Sequence, residues 1–194
     1  MDKRFFWVVT GILVVIVLAA SVATLVARRP HSYYGSVINP PSPAPDFSLT
    51  NQSGQTVKLS AFRGKFVLLY FGYTHCTNEC PATMAILAKA RSLQGIQAGE
   101  IQVVFVATDP ARDTPQAMGE FLNRFDSSFI GATGTQAELQ PVWAEYGVTV
   151  DDGGETHSSY VYLIDPDGNF RLTYPFPSTA EEISSDLRLL LRKN

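Results

Sequence analysis

The sequence predicts an α/β domain, a mixed central sheet flanked by helices, set behind an N-terminal transmembrane helix. Three observations carry this. An uncharged apolar run extends from Phe5 to Ala27. Two continuous apolar stretches, "KFVLLYFGY" (Lys65 to Tyr73) and "IQVVFVATD" (Ile101 to Asp109), read as strands buried on both faces and alternate with segments of helical spacing. The segments "SSYVYLID" and "NFRLTYPF" flank "DPDG", a hairpin signal that adds an antiparallel pair.

The apolar run lies between Lys3-Arg4 and Arg28-Arg29. Roughly 20 apolar residues span a bilayer as a helix, and this run is slightly longer. The apolar core of a cleaved signal peptide is usually only about 7–15 residues, so an uncleaved anchor over residues 1–29 is expected. Basic residues on both sides leave the orientation to the position of the run. A segment this near the N-terminus leads to a domain outside the cell membrane of a bacterium. Residues 30–45 hold five prolines among Ser, Asn, Gly and Tyr, a composition expected to form a stiff tether. Residues 46–194 remain, about 150 residues and enough for one domain with its own core. The net charge is −3 and the basic residues do not cluster in the domain, so a nucleic-acid partner is not expected.

Within the domain, "FSLTNQSGQTVKLS" (Phe47 to Ser60) reads as two short strands around an Asn-Gln-Ser-Gly turn. Ala82 to Gln94 has helical spacing and stops near Gly95. Thr114 followed by Pro115 marks an N-cap and a first-turn proline, opening a helix to about Phe125. Thr135 to Gly147 is another helix, and "TAEEISSDLRLLLRK" closes the chain as an amphipathic one. Strand, strand, strand, helix, strand, helix, helix, hairpin, helix is the order of thioredoxin-like domains. Such sheets place their sites in loops at the C-terminal ends of the strands.

One such loop holds both cysteines of the chain, in "FGYTHCTNECPATM" (Phe71 to Met84). Pro81 suggests a helix beginning there, with Cys80 at the cap position and favoured as thiolate by the helix terminus. A structural disulfide between Cys76 and Cys80 would close a small loop and contribute little. Peroxidase chemistry would want Thr or Ser three residues before the nucleophile, where this chain has Tyr73. A redox pair and a metal pair remain. Two thiolates suit a soft ion such as copper(I), with an imidazole to complete the set, and zinc competes for the same donors. Of the three histidines, His31 lies in the tether, His75 adjoins Cys76, and His157 stands just before a strand expected near the thiol loop. In "DPARDTP", helix capping accounts for most of the pattern, with Arg112 free to pair with Asp109 or Asp113 or to touch the thiol loop.

The CxxxCP motif, with a histidine some way downstream immediately before a strand, resembles the Sco (SenC) family of copper-handling proteins. "APDFSLTNQSGQTVKLSAFRGKFVLLYFGYTHCTNECP", "DPARDTP", "FIGATGTQAELQPVWAEYGV" and "THSSYVYLIDPDG" fall in family order. The resemblance implies a membrane-tethered thioredoxin-like domain binding one copper ion through Cys76, Cys80 and His157. It implies service in assembling the dinuclear copper centre of cytochrome c oxidase subunit II, by delivering copper, by reducing the target's cysteines, or both. The expected partners are that subunit, the membrane, a copper donor and a thiol reductant. The alternative is an extracytoplasmic thiol–disulfide oxidoreductase cycling through a Cys76–Cys80 disulfide. Two departures stand out: Thr77-Asn78 where family members often have Pro-Asp, and Thr156 where many have Asp before the histidine. The second alters the imidazole's outer partner and hence its basicity.

Overall fold

The computed structural model describes residue 7 and residues 11–21, 32–150 and 160–192. The chain divides into two units, Met1–Ser32 and Tyr33–Asn194. In the first, residues 11–21 are helical. Among the described residues no helix is long and apolar enough to cross a membrane. Most of the flanking residues of the Phe5 to Ala27 run lie outside the described residues.

The second unit is built on one eight-stranded sheet in the order β1-β8-β7-β4-β5-β6-β2-β3. Its strands are β1 (Ser36–Pro43), β2 (Ser48–Asn51), β3 (Thr56–Lys58), β4 (Phe66–Gly72), β5 (Ile101–Ala107), β6 (Ile130–Thr133), β7 (Tyr160–Ile164) and β8 (Asn169–Pro175). The helices are α1 (Glu79–Ser92), α2 (Pro115–Leu122), α3 (Gln136–Glu145) and α4 (Ala180–Leu191). β4 lies at the centre, parallel to β5 and antiparallel to β7. All seven of its residues are buried, which explains why its sequence is a continuous apolar run with no alternation. The β2–β3 turn is held by Asn51, whose Oδ1 accepts from the amides of Ser53 and Gln55, both at 2.9 Å. The β7–β8 hairpin turns at Gly168, with φ of +79°.

α2 begins where Thr114 predicts, and α3 and α4 begin one residue after the threonines that open their segments. Thr114, Thr135 and Thr179 each accept an amide hydrogen bond from the first turn, and the last two complete capping boxes with Glu138 and Glu182. α1 differs from expectation. It starts at Glu79, with Asn78 as N-cap, so Pro81 sits inside the first turn. The first amides of a helix have no intrahelical partner, so a proline there forfeits no hydrogen bond.

Residues 36–43, assigned by their prolines to the tether, form the edge strand β1 paired with β8. An edge strand can hold proline because one side of its backbone needs no partner, and the register here shifts between Val37 and Ser42. β1 is fastened at its start by Asp186 of α4, a fully buried carboxylate. Asp186 accepts from the Tyr34 amide at 3.0 Å, the Gly35 amide at 3.0 Å and the Tyr174 hydroxyl at 3.1 Å. β6 was also not anticipated, because its four residues are too few to show a period.

The sheet edge therefore makes a prediction about truncation. A fragment starting at Asp46 loses β1 and strips two amide donors from a buried carboxylate. It should be less stable than one starting at Tyr33 by at least about 2 kcal/mol in urea unfolding. Equal midpoints for the two fragments would show that β1 contributes nothing.

Candidate metal and thiol site

The site forms where β4 and β5 end side by side. The Thr108 amide donates to the Gly72 carbonyl at 2.8 Å, extending the parallel ladder to the last residue of β4. Two loops leave from this point, one carrying Cys76 and Cys80 into α1 and the other carrying Asp109 to Thr114 into α2. Asp113, fully buried, ties them together. Its Oδ1 accepts from the Thr74 amide at 2.9 Å and from the Thr74 hydroxyl at 2.7 Å. Its own carbonyl accepts from the Thr133 hydroxyl of β6 at 2.7 Å. Burial pushes the Asp113 carboxyl up, against the opposing pull of the Thr74 hydrogen bonds. Arg112 pairs with Asp109, and the cap of α2 is Thr114 alone. "DPARDTP" thus does more than start a helix: Asp113 sets the position of the thiol loop.

Cys80 is 2 % exposed and sits in the first turn of α1, beneath the end of β4. Gly72 makes room for it. A Cβ at residue 72 would lie 2.8 Å from Cys80 Sγ and 2.9 Å from Tyr70 Cε1, closer than side chains tolerate. The buried Tyr70 hydroxyl stands 3.8 Å from the same sulfur. Burial pushes the Cys80 thiol up to about 12, with the neighbouring Cys76 adding to the effect. Cys76 is half-buried and goes the other way. Burial raises it, but hydrogen bonds from the Cys80 and Asn78 amides outweigh that and hold it below the ordinary thiol value. The Cys80 amide lies 3.3 Å from Cys76 Sγ.

This corrects the sequence expectation that the helix terminus would favour a Cys80 thiolate. Because α1 starts before Cys80, its free amides point at Cys76, and Cys80 is left with the core. Both cysteines are free thiols. Among the described residues no group of three or more His, Cys, Asp or Glu side chains gathers as a metal cluster. The third expected ligand, His157, lies outside the described residues, as does His31. The strand after His157 is where the sequence reading expected it. β7 pairs with β4 with Val161 opposite Tyr70, so Tyr160 enters the sheet beside the end of β4 that feeds the thiol loop. Gly72, Tyr70, Thr74 and Asp113 were not singled out for the site from sequence. The only signal for Asp113 was its place in the loop after the neighbouring parallel strand.

Comparison with known proteins adds the family. A SCO1/SenC family model matches residues 37–192. The chain belongs to the SCO1/SenC family. Protein sco1 of Schizosaccharomyces pombe is 33 % identical over 149 residues, 71 % of this chain and 57 % of that protein, so the chain spans under three fifths of that relative. The crystal structure of Arabidopsis thaliana ScoI with copper bound superposes with a TM-score of 0.72 at 30 % identity, covering 79 % of this chain and all of that one. The thioredoxin domain of a Bacteroides vulgatus thiol-disulfide oxidoreductase shares the fold at 18 % identity, with a TM-score of 0.59 over 76 % of this chain and 94 % of that one. The SCO1/SenC domain described here is therefore thioredoxin-like, with a mixed sheet flanked by helices.

The unlike thiols predict how this SCO1/SenC domain reacts. The thiolate is the nucleophile, and Cys76 ionises below the ordinary thiol value while Cys80 stays protonated until about pH 12. Alkylation should therefore rise with pH with its midpoint below pH 9.0, the ordinary thiol value, and with the label on Cys76 at least about tenfold ahead of Cys80. Mass spectrometry of the reduced protein after a short iodoacetamide pulse measures this. Label appearing first on Cys80 would contradict the geometry.

Proposed function

We propose that this protein is a membrane-anchored copper metallochaperone that assists assembly of the dinuclear copper centre of cytochrome c oxidase subunit II. The observation that carries the reading is the pair of sulfurs. Cys76 Sγ and Cys80 Sγ are brought to one clamped loop, in a family with relatives solved with copper bound. Two thiols form a soft donor set, and neither is engaged in a disulfide. The pocket made by Gly72 for Cys80 also fits this role, because a sulfur there is shielded from water on the side away from the loop.

In this reading the ligands are Cys76, Cys80 and His157. His157 stands three residues before Tyr160, a stretch of chain spanning at most about 10 Å, and Tyr160 starts beside the thiol-bearing end of β4. Bound copper would be the cargo, held ready for a target that offers more ligands of the kind copper prefers. What the chain itself supplies is placement. Asp113 and Thr74 hold the loop, the first-turn amides of α1 support negative charge on Cys76, and the core around Cys80 keeps water from one side of the ion. The apolar run from Phe5 to Ala27 supports an anchor with the domain on the extracytoplasmic side.

A second reading is favoured by one observation, the difference between the thiols. A half-buried, more acidic Cys76 suits attack on a target disulfide, forming a mixed disulfide and releasing one target thiol. A buried Cys80 suits its resolution, closing a Cys76–Cys80 disulfide and releasing the second target thiol. That reductase needs no imidazole.

Copper affinity separates the two. The reduced protein should bind one copper(I) in competition with a chromophoric chelator. Cys76→Ser or Cys80→Ser should weaken binding by at least about 100-fold and His157→Ala by about tenfold. His157→Ala with unaltered affinity, alongside full dithiol activity, would replace the chaperone reading with the reductase.

A further inference from the structure

Thr74 Oγ1 sits between two partners. It is 2.7 Å from Asp113 Oδ1 and 3.0 Å from His75 Nδ1. A hydroxyl has one proton to donate. Both carboxyl oxygens of Asp113 already face N–H groups, Oδ1 that of Thr74 at 2.9 Å and Oδ2 that of Asp109 at 3.4 Å. The carboxyl group is therefore the acceptor, and the Thr74 proton goes to it. The remaining lone pairs of Thr74 Oγ1 can only receive, so His75 must carry its proton on Nδ1. In the neutral ring this leaves Nε2 with a free lone pair. Nε2 has no hydrogen-bond partner among the described residues.

The place of this imidazole gives the lone pair a use. His75 is exposed, the adjacent Cys76 is half-buried, and Cys80 is 2 % exposed. Accessibility falls in that order along the loop, so an ion arriving from solvent or from a donor protein meets His75 and Cys76 before it can reach Cys80. Imidazole nitrogen and thiolate both suit copper(I). An imidazole whose other nitrogen is tied through a hydroxyl to a buried carboxylate is held in orientation, as outer partners do for metal-ligating histidines.

We propose that His75 is a capture ligand. Nε2 of His75 and Sγ of Cys76 receive copper(I) at the surface and pass it to the buried Cys80, with the Asp113–Thr74 relay fixing the tautomer that makes Nε2 available. The proposal rests on the copper reading above and adds an entry route to it. No electron moves. The Nε2 lone pair and the Cys76 sulfur bond to copper as two ligands of the donor leave; the Cys76 thiol proton passes to solvent, and Nε2 has no proton to lose. When Cys80 takes its place, the Nε2–copper bond breaks and the Cys80 thiol proton passes to solvent.

The test uses the full chain in detergent, reduced, with the histidines labelled with nitrogen-15. Long-range proton–nitrogen correlation in the copper-free protein should report the Nδ1–H tautomer for His75, assigned by its absence in His75→Ala. Thr74→Val should shift that ring toward the other tautomer. Loading from the bicinchoninate complex of copper(I), followed by stopped flow, should slow about tenfold in His75→Ala and slow in the same direction in Thr74→Val. A ring protonated on Nε2 in the unaltered protein, or His75→Ala loading as fast as the parent, overturns the capture role alone. Failure of the unaltered chain to take up copper(I) overturns the copper reading and the capture role with it.

Discussion

The site depends on a clamp between two loops. β4 and β5 run parallel and finish at the same level, so the chain leaves both strands at one place, and nothing in the ladder beyond Thr108 and Gly72 says how the loops should lie. The Asp113 carboxylate supplies that instruction. It is buried, it takes two hydrogen bonds from Thr74, and its backbone carbonyl is held by Thr133 of β6. A buried carboxylate that lost these donors would be costly, so the loop before Cys76 has one favoured position. The start of α1, the bond from the Cys80 amide to Cys76, and the tautomer of His75 all follow from it.

From that position come two thiols of the same chemical type and opposite character. The helix contributes its free amides to Cys76, which lies outside it, and the core takes Cys80, which lies within it. Gly72 completes the division, because any side chain there would push Cys80 Sγ out of its pocket. A cation able to displace protons from both sulfurs gains a firmly placed inner ligand and a responsive outer one. A dithiol reductase would gain an attacking and a resolving thiol from the same arrangement. The choice between these roles therefore turns on the third ligand more than on the sulfurs.

Much of this was legible in the sequence, and the rest was hidden for definite reasons. β4 and β5 announced themselves as unbroken apolar runs, α2 by its capping threonine and first-turn proline, and α3 and α4 by their helical segments. Cys76 and Cys80 stood out because the chain has no other cysteine. β1 was obscured by its prolines, which suggest a tether but are also tolerated on an edge strand. The start of α1 was misjudged because Pro81 is compatible with several first-turn positions, and two residues of error exchanged the expected characters of the thiols. Asp113 was read as part of a helix start because its partner, Thr74, is far away in sequence and adjacent only through the β4–β5 ladder.

The most direct measurement is X-ray absorption at the copper edge of the copper(I)-loaded full chain. The account predicts two sulfur neighbours and one nitrogen from an imidazole, with one sulfur lost in Cys76→Ser or Cys80→Ser and the nitrogen lost in His157→Ala. A first shell of nitrogen and oxygen alone, or one unaffected by replacing Cys80, would contradict it.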